Sequence, residues 1–243
     1  MELVLLTKQY DADIAALIRR NLEAARLDIP GTAYYDEMLD HLSAYYDAPG
    51  RAYYVLIDEG TAVGGVGLAE FDGLINCCEL QKLYLDDSVK GRGLGYKLLD
   101  FIEERADEIG YERMYLETHT NLEAAIHLYE KAGFTEIEKP QSVVHTTMDR
   151  FFIKELKPGK KQLERIAKYE KMLDEAEALL ASGETGERLT ELARALEAYY
   201  TSDDWKRDFA DDEAGKLPKD LKRGVLSEDG IYNLLERCTY GFE

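Results

Sequence analysis

The chain has 243 residues, 45% of them apolar and 33% charged, enough to bury a core in one large or two small domains and too apolar for a disordered polymer. Asp and Glu number 49 against 30 Lys and Arg, a net charge of −19, which repels phosphate backbones and anionic lipid and attracts cations, protonated amines among them. The expectation is therefore no nucleic acid partner and no membrane partner. No apolar run approaches the roughly 20 residues that span a bilayer, and Met1–Leu6 lacks the basic start of a signal peptide, so a cytoplasmic location is expected.

The first two-thirds alternates strand and helix signals. Glu2–Leu6 is a short apolar run, after which Asp11 or Asp13 can cap a helix with Ile14, Leu17, Ile18, Leu22 and Ala25 near one face. Ile29-Pro30-Gly31 ends it, and a tyrosine-rich helix is expected from Tyr35 to Tyr46, stopping at Pro49-Gly50. Tyr53–Ile57 and Ala62–Phe71 read as strands joined by the turn Asp58-Glu59-Gly60. Cys77–Leu85 is a further strand, and a helix from about Gly93 to Ile109 follows, with Leu98, Leu99, Ile102 and Ala106 at helical spacing. Met114–Glu117 is a strand, Asn121–Ala132 a helix ended by Gly133, and Phe134–Glu138 and Thr146–Leu156 are strands.

Composition changes at Lys157-Pro158-Gly159-Lys160-Lys161, which reads as a linker (157–161) between a domain over 1–156 and a helical domain over 162–243. There, Ile166, Tyr169, Leu173, Ala176 and Leu180 recur at steps of three and four residues, as do Leu189, Leu192, Leu196 and Tyr199 after Ser182-Gly183. Two antiparallel helices packed along that seam are expected. A last helix starts at the Ser227 cap and carries Ile231, Leu234 and Leu235.

The informative stretch runs through Glu79-Leu80-Gln81-Lys82-Leu83-Tyr84-Leu85 to Lys90-Gly91-Arg92-Gly93-Leu94-Gly95 at the start of a long helix. Three glycines in five residues cost backbone entropy, and they make sense where bare amides must curl around a guest. A helix N-terminus of that kind is an anion site. Lys90, Arg92 and Lys97 make residues 88–97 locally +3 in a chain of −19, and phosphate is the expected guest. A tight turn that binds nothing has the same local signature. The position and G-x-G-x-G spacing fit neither a dinucleotide fingerprint nor a P-loop.

From Glu79 to Phe134 the chain resembles the GNAT family of N-acetyltransferases. Their acetyl-CoA signature, Arg/Gln-x-x-Gly-x-Gly/Ala, corresponds to Lys90-Gly91-Arg92-Gly93-Leu94-Gly95, with Lys where Arg or Gln is usual. Their later segment corresponds to Asn121 and to Leu128-Tyr129-Glu130-Lys131-Ala132-Gly133-Phe134. The likeness covers residues 1 to about 156.

What the resemblance implies is an α/β (α+β) fold with a mixed sheet splayed between its fourth and fifth strands and flanked by helices, to which the helical spacing of residues 162–243 adds a small all-α domain. Acetyl-CoA would lie in the gap as cosubstrate, its pyrophosphate on the amides of Gly91 to Gly95 and its pantetheine arm against the backbone of Leu83, Tyr84 and Leu85. Asn121 matches the position that hydrogen-bonds the pantetheine. Tyr129 matches the tyrosine that protonates the leaving thiolate.

The chemistry asks for matching parts. An attacking amine must lose a proton, yet a Lys-type amine has a reference pKa of about 10.4. Glu79 aligns with the glutamate that serves as base in histone-type members, and with a reference value of about 4.3 it needs burial to lift it. A backbone N–H near Leu85 is the candidate oxyanion donor. Glu79 as a solvated residue or ion-pair partner and Tyr129 as core packing are the plainer alternatives. Adjacent Cys77 and Cys78 invite an acetyl-cysteine intermediate, but strand cysteines commonly pack inertly. The three cysteines offer neither a disulfide framework nor metal-ligand spacing, so no metal is expected. His119 and His127 flank the cofactor region and read as surface residues.

By the same resemblance the wall of the acceptor site is Leu27–Tyr34, with Ile29 and Tyr34 as candidate substrate-binding residues. An acidic, tyrosine-rich wall suits a small cationic amine. The C-terminal part resembles an uncharacterised bacterial domain of unknown function through Trp205–Phe209, Asp212–Pro218 and Lys219–Leu235. Its apolar seam suits a scaffold, a lid or an oligomerisation surface, the last giving a homodimer. Lys216, Lys219, Lys222 and Arg223 read as solvated more readily than as an anion site. The expected activity is direct acetyl transfer from acetyl-CoA to a primary amine, a small amine or amino acid. The alternative is a non-catalytic acetyl-CoA sensor that signals through the helical module, which would need neither Glu79 nor Tyr129.

Overall fold

A computed structural model describes residues 1–143 and 147–240. Thr146, expected to open the last strand, and residues 241–243 of the expected helical domain lie outside the described residues. The chain divides into two compact units, Met1–Leu156 and the residues from Lys157 onward.

The first unit is a seven-stranded mixed sheet flanked by helices. In chain order it contains β1 (Glu2–Leu5), α1 (Asp11–Ala24), α2 (Leu42–Tyr46), β2 (Ala52–Asp58), β3 (Thr61–Glu70) and β4 (Cys77–Leu85). Then come α3 (Leu94–Ile109), β5 (Arg113–Thr118), α4 (Glu123–Lys131), β6 (Thr135–Ile137) and β7 (Arg150–Glu155). The strand order is β1-β2-β3-β4-β5-β7-β6, antiparallel except at the β4–β5 pair. Each face carries its own core. Leu98, Leu99 and Ile102 of α3 pack with Val66, Leu68, Cys78 and Leu80 on one side. Ile14, Ile18 and Leu22 of α1 pack with Leu42, Tyr46, Tyr53 and Val55 on the other. Apolar burial on both faces is the main favourable term, roughly 25 cal/mol per Å².

Three expectations for this unit change. The helix from Tyr35 to Tyr46 is broken, leaving only the five residues of α2 and two short 3-10 turns. Asp36 is the cause: its backbone is extended and its carboxylate accepts the Met38 N–H at 2.9 Å, the side-chain competition that interrupts helices. Asp11 does not cap α1. Its carboxylate accepts from the Ser43 N–H (2.8 Å) and hydroxyl (2.6 Å), tying α1 to α2. The closing strands are shorter than expected, Thr135–Ile137 and Arg150–Glu155.

On β3, Gly65 and Gly67 leave room for aromatic rings. A Cβ on Gly65 would lie 2.5 Å from the Tyr53 hydroxyl, and one on Gly67 would lie 2.5 Å from the Tyr53 ring and 2.9 Å from that of Tyr46. Opposite them, β4 carries a bulge. Gly65 pairs with Tyr84 and Gly67 with Gln81, so Val66 alone faces Lys82 and Leu83. Lys82 takes up the extra residue at φ +50°, a left-handed conformation that is costly for a side chain. It is held there by the Tyr53 hydroxyl, which donates to its carbonyl at 3.0 Å, and by an ion pair of its ammonium with Asp36 at 3.1 Å.

The second unit is helical: α5 (Lys160–Ser182), α6 (Glu187–Tyr200), α7 (Asp203–Glu213) and α8 (Glu228–Tyr240). Helix α5 starts inside the segment expected as linker. The seam residues Ile166, Leu173, Ala176, Leu189, Leu192, Leu196 and Tyr199 are buried in this unit's own core. Tyr169 stacks on Tyr199 at 3.9 Å. Helix α7 was not expected, although Ser202 caps it by accepting the Trp205 N–H at 3.2 Å and two acids occupy its first turn. Fully buried Asp208 accepts from Arg165 (2.6 and 2.9 Å) and from the Tyr199 hydroxyl (2.6 Å). Lys216 pairs with Asp211, Lys222 with Glu170 and Asp174, and Arg223 with Asp212, so these cations are neutralised by carboxylates.

The close approach of Tyr53 and Tyr46 to β3 makes Gly67→Ala an overpacking change. It is expected to destabilise the first unit by about 1–3 kcal/mol, read as faster exchange of β3 amides in native-state hydrogen exchange. Unchanged β3 protection would contradict the packing described.

Candidate active site

β4 and β5 pair over only three positions, Cys77 with Arg113, Cys78 with Met114 and Glu79 with Tyr115. Beyond Glu79, β4 has no strand partner on that side among the described residues, while β5 stays paired with β7 on its other edge along its whole length. The sheet therefore splits, and a cavity of about 1040 Å³ occupies the gap. Such a volume lies at the top of the ~300–1,000 Å³ range of ligand pockets, room for a long cosubstrate and an acceptor. Its walls are β4 from Glu79 to Leu85, the start of α3, Glu117 and Thr118 of β5, one side of α4, and Asn21, Gly31 and Thr32.

The phosphate-type loop stands at one end. Gly91 and Gly93 have φ of +76° and +72°, and a Cβ on either would meet nothing within 4 Å. These glycines answer to backbone conformation, not to crowding. No side chain caps α3, and the amides of Gly91 to Gly95 donate to no acceptor among the described residues. Five free N–H groups at a helix start, with the positive end of the helix dipole behind them, form an anion cradle. The Lys90 ammonium donates to the Asn21 side-chain carbonyl at 2.9 Å and pairs with Asp87 at 2.6 Å, while the Arg92 guanidinium donates to the Ser88 carbonyl at 2.9 Å. Arg92 does not line the cavity.

At the split itself sits Glu79, half-buried and lining the cavity. Burial raises its pKa above the ordinary 4.5, the Gln81 hydrogen bond opposes this, and the neighbouring Glu117 carboxylate raises it further while Lys82 lowers it. The Gln81 side-chain amide donates to Glu79 at 2.7 Å, and the Tyr46 hydroxyl donates to the Gln81 side-chain carbonyl at 2.9 Å. Glu117 accepts from the Tyr115 hydroxyl at 3.2 Å. Neither Glu79 nor Glu117 forms an ion pair within 4 Å among the described residues.

Tyr129 is buried at 7% exposure and lines the cavity from α4. Its hydroxyl has no hydrogen-bond partner among the described residues, and burial pushes its pKa well up, so it stays protonated. Tyr84 lines the same wall, its hydroxyl pushed up by burial to about 12. The Asn121 amide donates to the Ala25 carbonyl at 3.0 Å, joining the loop before α4 to the end of α1.

Lys90, Gly91, Gly93, Leu94, Gly95, Leu83, Tyr84, Leu85, Glu79, Asn121 and Tyr129 thus meet around one cavity. Ile29 and Tyr34 do not line it. The Thr32 hydroxyl donates to the carbonyls of Leu27 and Ile29 at 2.8 Å, tightening the loop so that Gly31, Thr32 and Ala33 face the cavity. The Tyr34 hydroxyl turns away to Glu23 at 2.8 Å. Cys77 and Cys78 are buried outside the cavity. Burial pushes the Cys77 thiol up to about 11 and that of Cys78 higher, a poor setting for a nucleophile. His127 lines the cavity mouth and is exposed, and His119 accepts the Asn121 N–H at 3.1 Å. Among the described residues no group of three His, Cys, Asp or Glu side chains could hold a metal, and no helix is long and apolar enough to cross a membrane.

Sequence reasoning missed Gln81, Tyr46, Glu117 and the Lys82 bulge. Period-two alternation from Glu79 places Gln81 beside it, but the link to Tyr46 is tertiary and the bulge has no local signal.

The acetyltransferase (GNAT) family model matches residues 18–134, and that of a domain of unknown function, DUF4298, matches residues 161–240. The chain is 42% identical over 135 residues to "Uncharacterized N-acetyltransferase YjgM" of Escherichia coli, covering 55% of this chain and 81% of that one. It is 29% identical to "Uncharacterized N-acetyltransferase C1271.07c" of Schizosaccharomyces pombe, covering 52% and 77%. Among solved structures, a GNAT-family acetyltransferase from Staphylococcus aureus superposes with a TM-score of 0.57 at 23% identity, over 64% of this chain and 99% of that one. The protein yncA from Salmonella typhimurium, solved with its cofactor acetyl-CoA, gives 0.51 at 24%, over 64% and 94%. With the split sheet, the free-amide loop and a relative 42% identical over most of its length, the chain belongs to the GNAT family of acetyltransferases.

Proposed function

We propose that the first unit transfers an acetyl group directly from acetyl-CoA to a small primary amine. The observation that carries this reading is the joining, in one split-sheet cavity, of a loop of free amides and two carboxylates that have no ion-pair partner among the described residues. Bound acetyl-CoA supplies an acetyl group activated as a thioester. The amides of Gly91 to Gly95 hold its pyrophosphate, and the open edge of β4 at Leu83–Leu85 offers backbone groups to its extended arm. Asn121, whose carbonyl oxygen is free of its bond to Ala25, can accept from that arm.

Glu79 takes the proton of the incoming amine, and its raised pKa makes it a better base than an exposed carboxylate. The Tyr129 hydroxyl keeps a proton for the leaving sulfur. Glu79 and Glu117 together make the acceptor end of the cavity attractive to a cation, which favours an amine, or an amino acid through its amino group. With a net charge of −19, nucleic acid and anionic membranes are unfavourable partners.

Thiol release from acetyl-CoA against amines, amino acids, polyamines and aminoglycosides tests the reading, alongside calorimetric binding of acetyl-CoA. Acceptor-dependent release is expected. Binding without release from any acceptor would favour the sensor alternative, and absence of binding would overturn the reading of the loop. Glu79→Gln and Tyr129→Phe are expected to lower kcat by about 10²-fold or more. Glu79 works as the carboxylate, so kcat should fall as pH drops through its raised pKa, an acidic limb above 4.5 that is absent in Glu79→Gln. The double variant Cys77→Ala, Cys78→Ala should retain turnover if transfer is direct, and its loss in a folded protein would point to an acetyl-cysteine.

A further inference from the structure

Two polar side chains beside the cavity have no part in the mechanism above, yet they form a continuous chain ending on Glu79. We propose that Gln81 and Tyr46 are positioning residues, Gln81 donating its amide to Glu79 and Tyr46 fixing that amide, so that Glu79 is held as an aimed carboxylate at the cavity wall. The proposal rests on the reading of Glu79 as the proton acceptor.

The geometry has a direction. The Tyr46 hydroxyl donates to the Gln81 Oε1 at 2.9 Å, which leaves Nε2 to donate to Glu79 Oε2 at 2.7 Å. Reversing the amide would set Oε1 against a carboxylate and leave the Tyr46 hydrogen without its acceptor. Tyr46 holds the amide because it is itself fixed. It is buried, edge-on to Tyr45 at 4.9 Å and tilted against Tyr53 at 5.1 Å, in space that Gly67 leaves open. Burial pushes its own ionisation well up, so it remains a donor.

A donor aimed at a carboxylate favours the charged form, whereas burial and Glu117 disfavour it. The other titratable groups near Glu79 are Lys82 on β4, which is paired with Asp36, Tyr115 on β5, which donates to Glu117, and the buried thiols of Cys77 and Cys78. None of these donates to Glu79. Gln81 is therefore the hydrogen-bonding side chain that, together with the weaker pull of the Lys82 ammonium, limits how far burial raises the Glu79 proton affinity, and it sets the direction of the lone pair offered to an amine.

The test follows Glu79 directly, by ¹³C NMR titration of glutamate side-chain carboxyls in the full chain, with the signal assigned by its loss in Glu79→Gln. In Gln81→Met the Glu79 pKa is expected to rise by about one unit. In Tyr46→Phe, which keeps the ring and its packing, a smaller rise is expected. Thermal unfolding confirms that each variant is folded, and if Gln81→Met does not fold, Tyr46→Phe decides alone. An unchanged Glu79 titration in the folded variants would overturn the proposal. The acidic limb of kcat should move up in step. A shift in the NMR titration with no movement of the limb would leave the relay standing and remove Glu79 as the base. Loss of the limb in Glu79→Gln with no shift in Gln81→Met would do the reverse.

Discussion

The pairing between β4 and β5 stops at Glu79 and Tyr115, and the site follows from that stop. Backbone N–H and C=O groups inside a sheet normally find partners on both sides, and leaving them unpaired in a dry interior is costly. Here the edge of β4 from Leu80 to Leu85 faces a cavity, where solvent or an extended ligand can satisfy it. The α3 N-terminus opens into the same cavity with five amides that donate to no acceptor among the described residues. A strand edge and a helix end, each incomplete by itself, become complementary to a long molecule with an anionic end and an extended arm.

Glycine serves this arrangement in two ways. Gly91 and Gly93, which line the cavity, adopt left-handed backbone conformations with open space where a side chain would be. Gly65 and Gly67 have ordinary backbone angles, and it is the rings of Tyr53 and Tyr46 that need the space. Those two tyrosines reach from the second core to β4, one holding the carbonyl of the Lys82 bulge and the other the Gln81 amide. The glycines of β3 thereby govern the shape of β4 at a distance from the reacting groups.

Much of this was legible in the sequence because it is local. The loop Lys90–Gly95, the helix after it and the Leu128–Phe134 segment announce themselves in consecutive residues, and the alternation of strand and helix signals marks most of the elements. What could not be read is tertiary. The Tyr35–Tyr46 helix looked continuous until Asp36 captured the Met38 amide and the Lys82 ammonium. Asp11 has the composition of a cap, yet it bonds Ser43, 32 residues away. Tyr34 and Ile29 do not line the cavity although Gly31, Thr32 and Ala33 between them do, in a turn that the Thr32 hydroxyl tightens. The seam of the second unit was read correctly as helical packing, and its residues are enclosed in that unit's core.

Amide hydrogen exchange with and without acetyl-CoA tests the central claim most directly, that the free amides of Gly91–Gly95 and the open edge of β4 together receive the cosubstrate. Protection should appear on adding acetyl-CoA at Gly91 to Gly95 and along Leu83–Leu85, with the α5–α8 amides unchanged. Saturating acetyl-CoA that leaves both segments exchanging as before, or protects amides elsewhere instead, would contradict it.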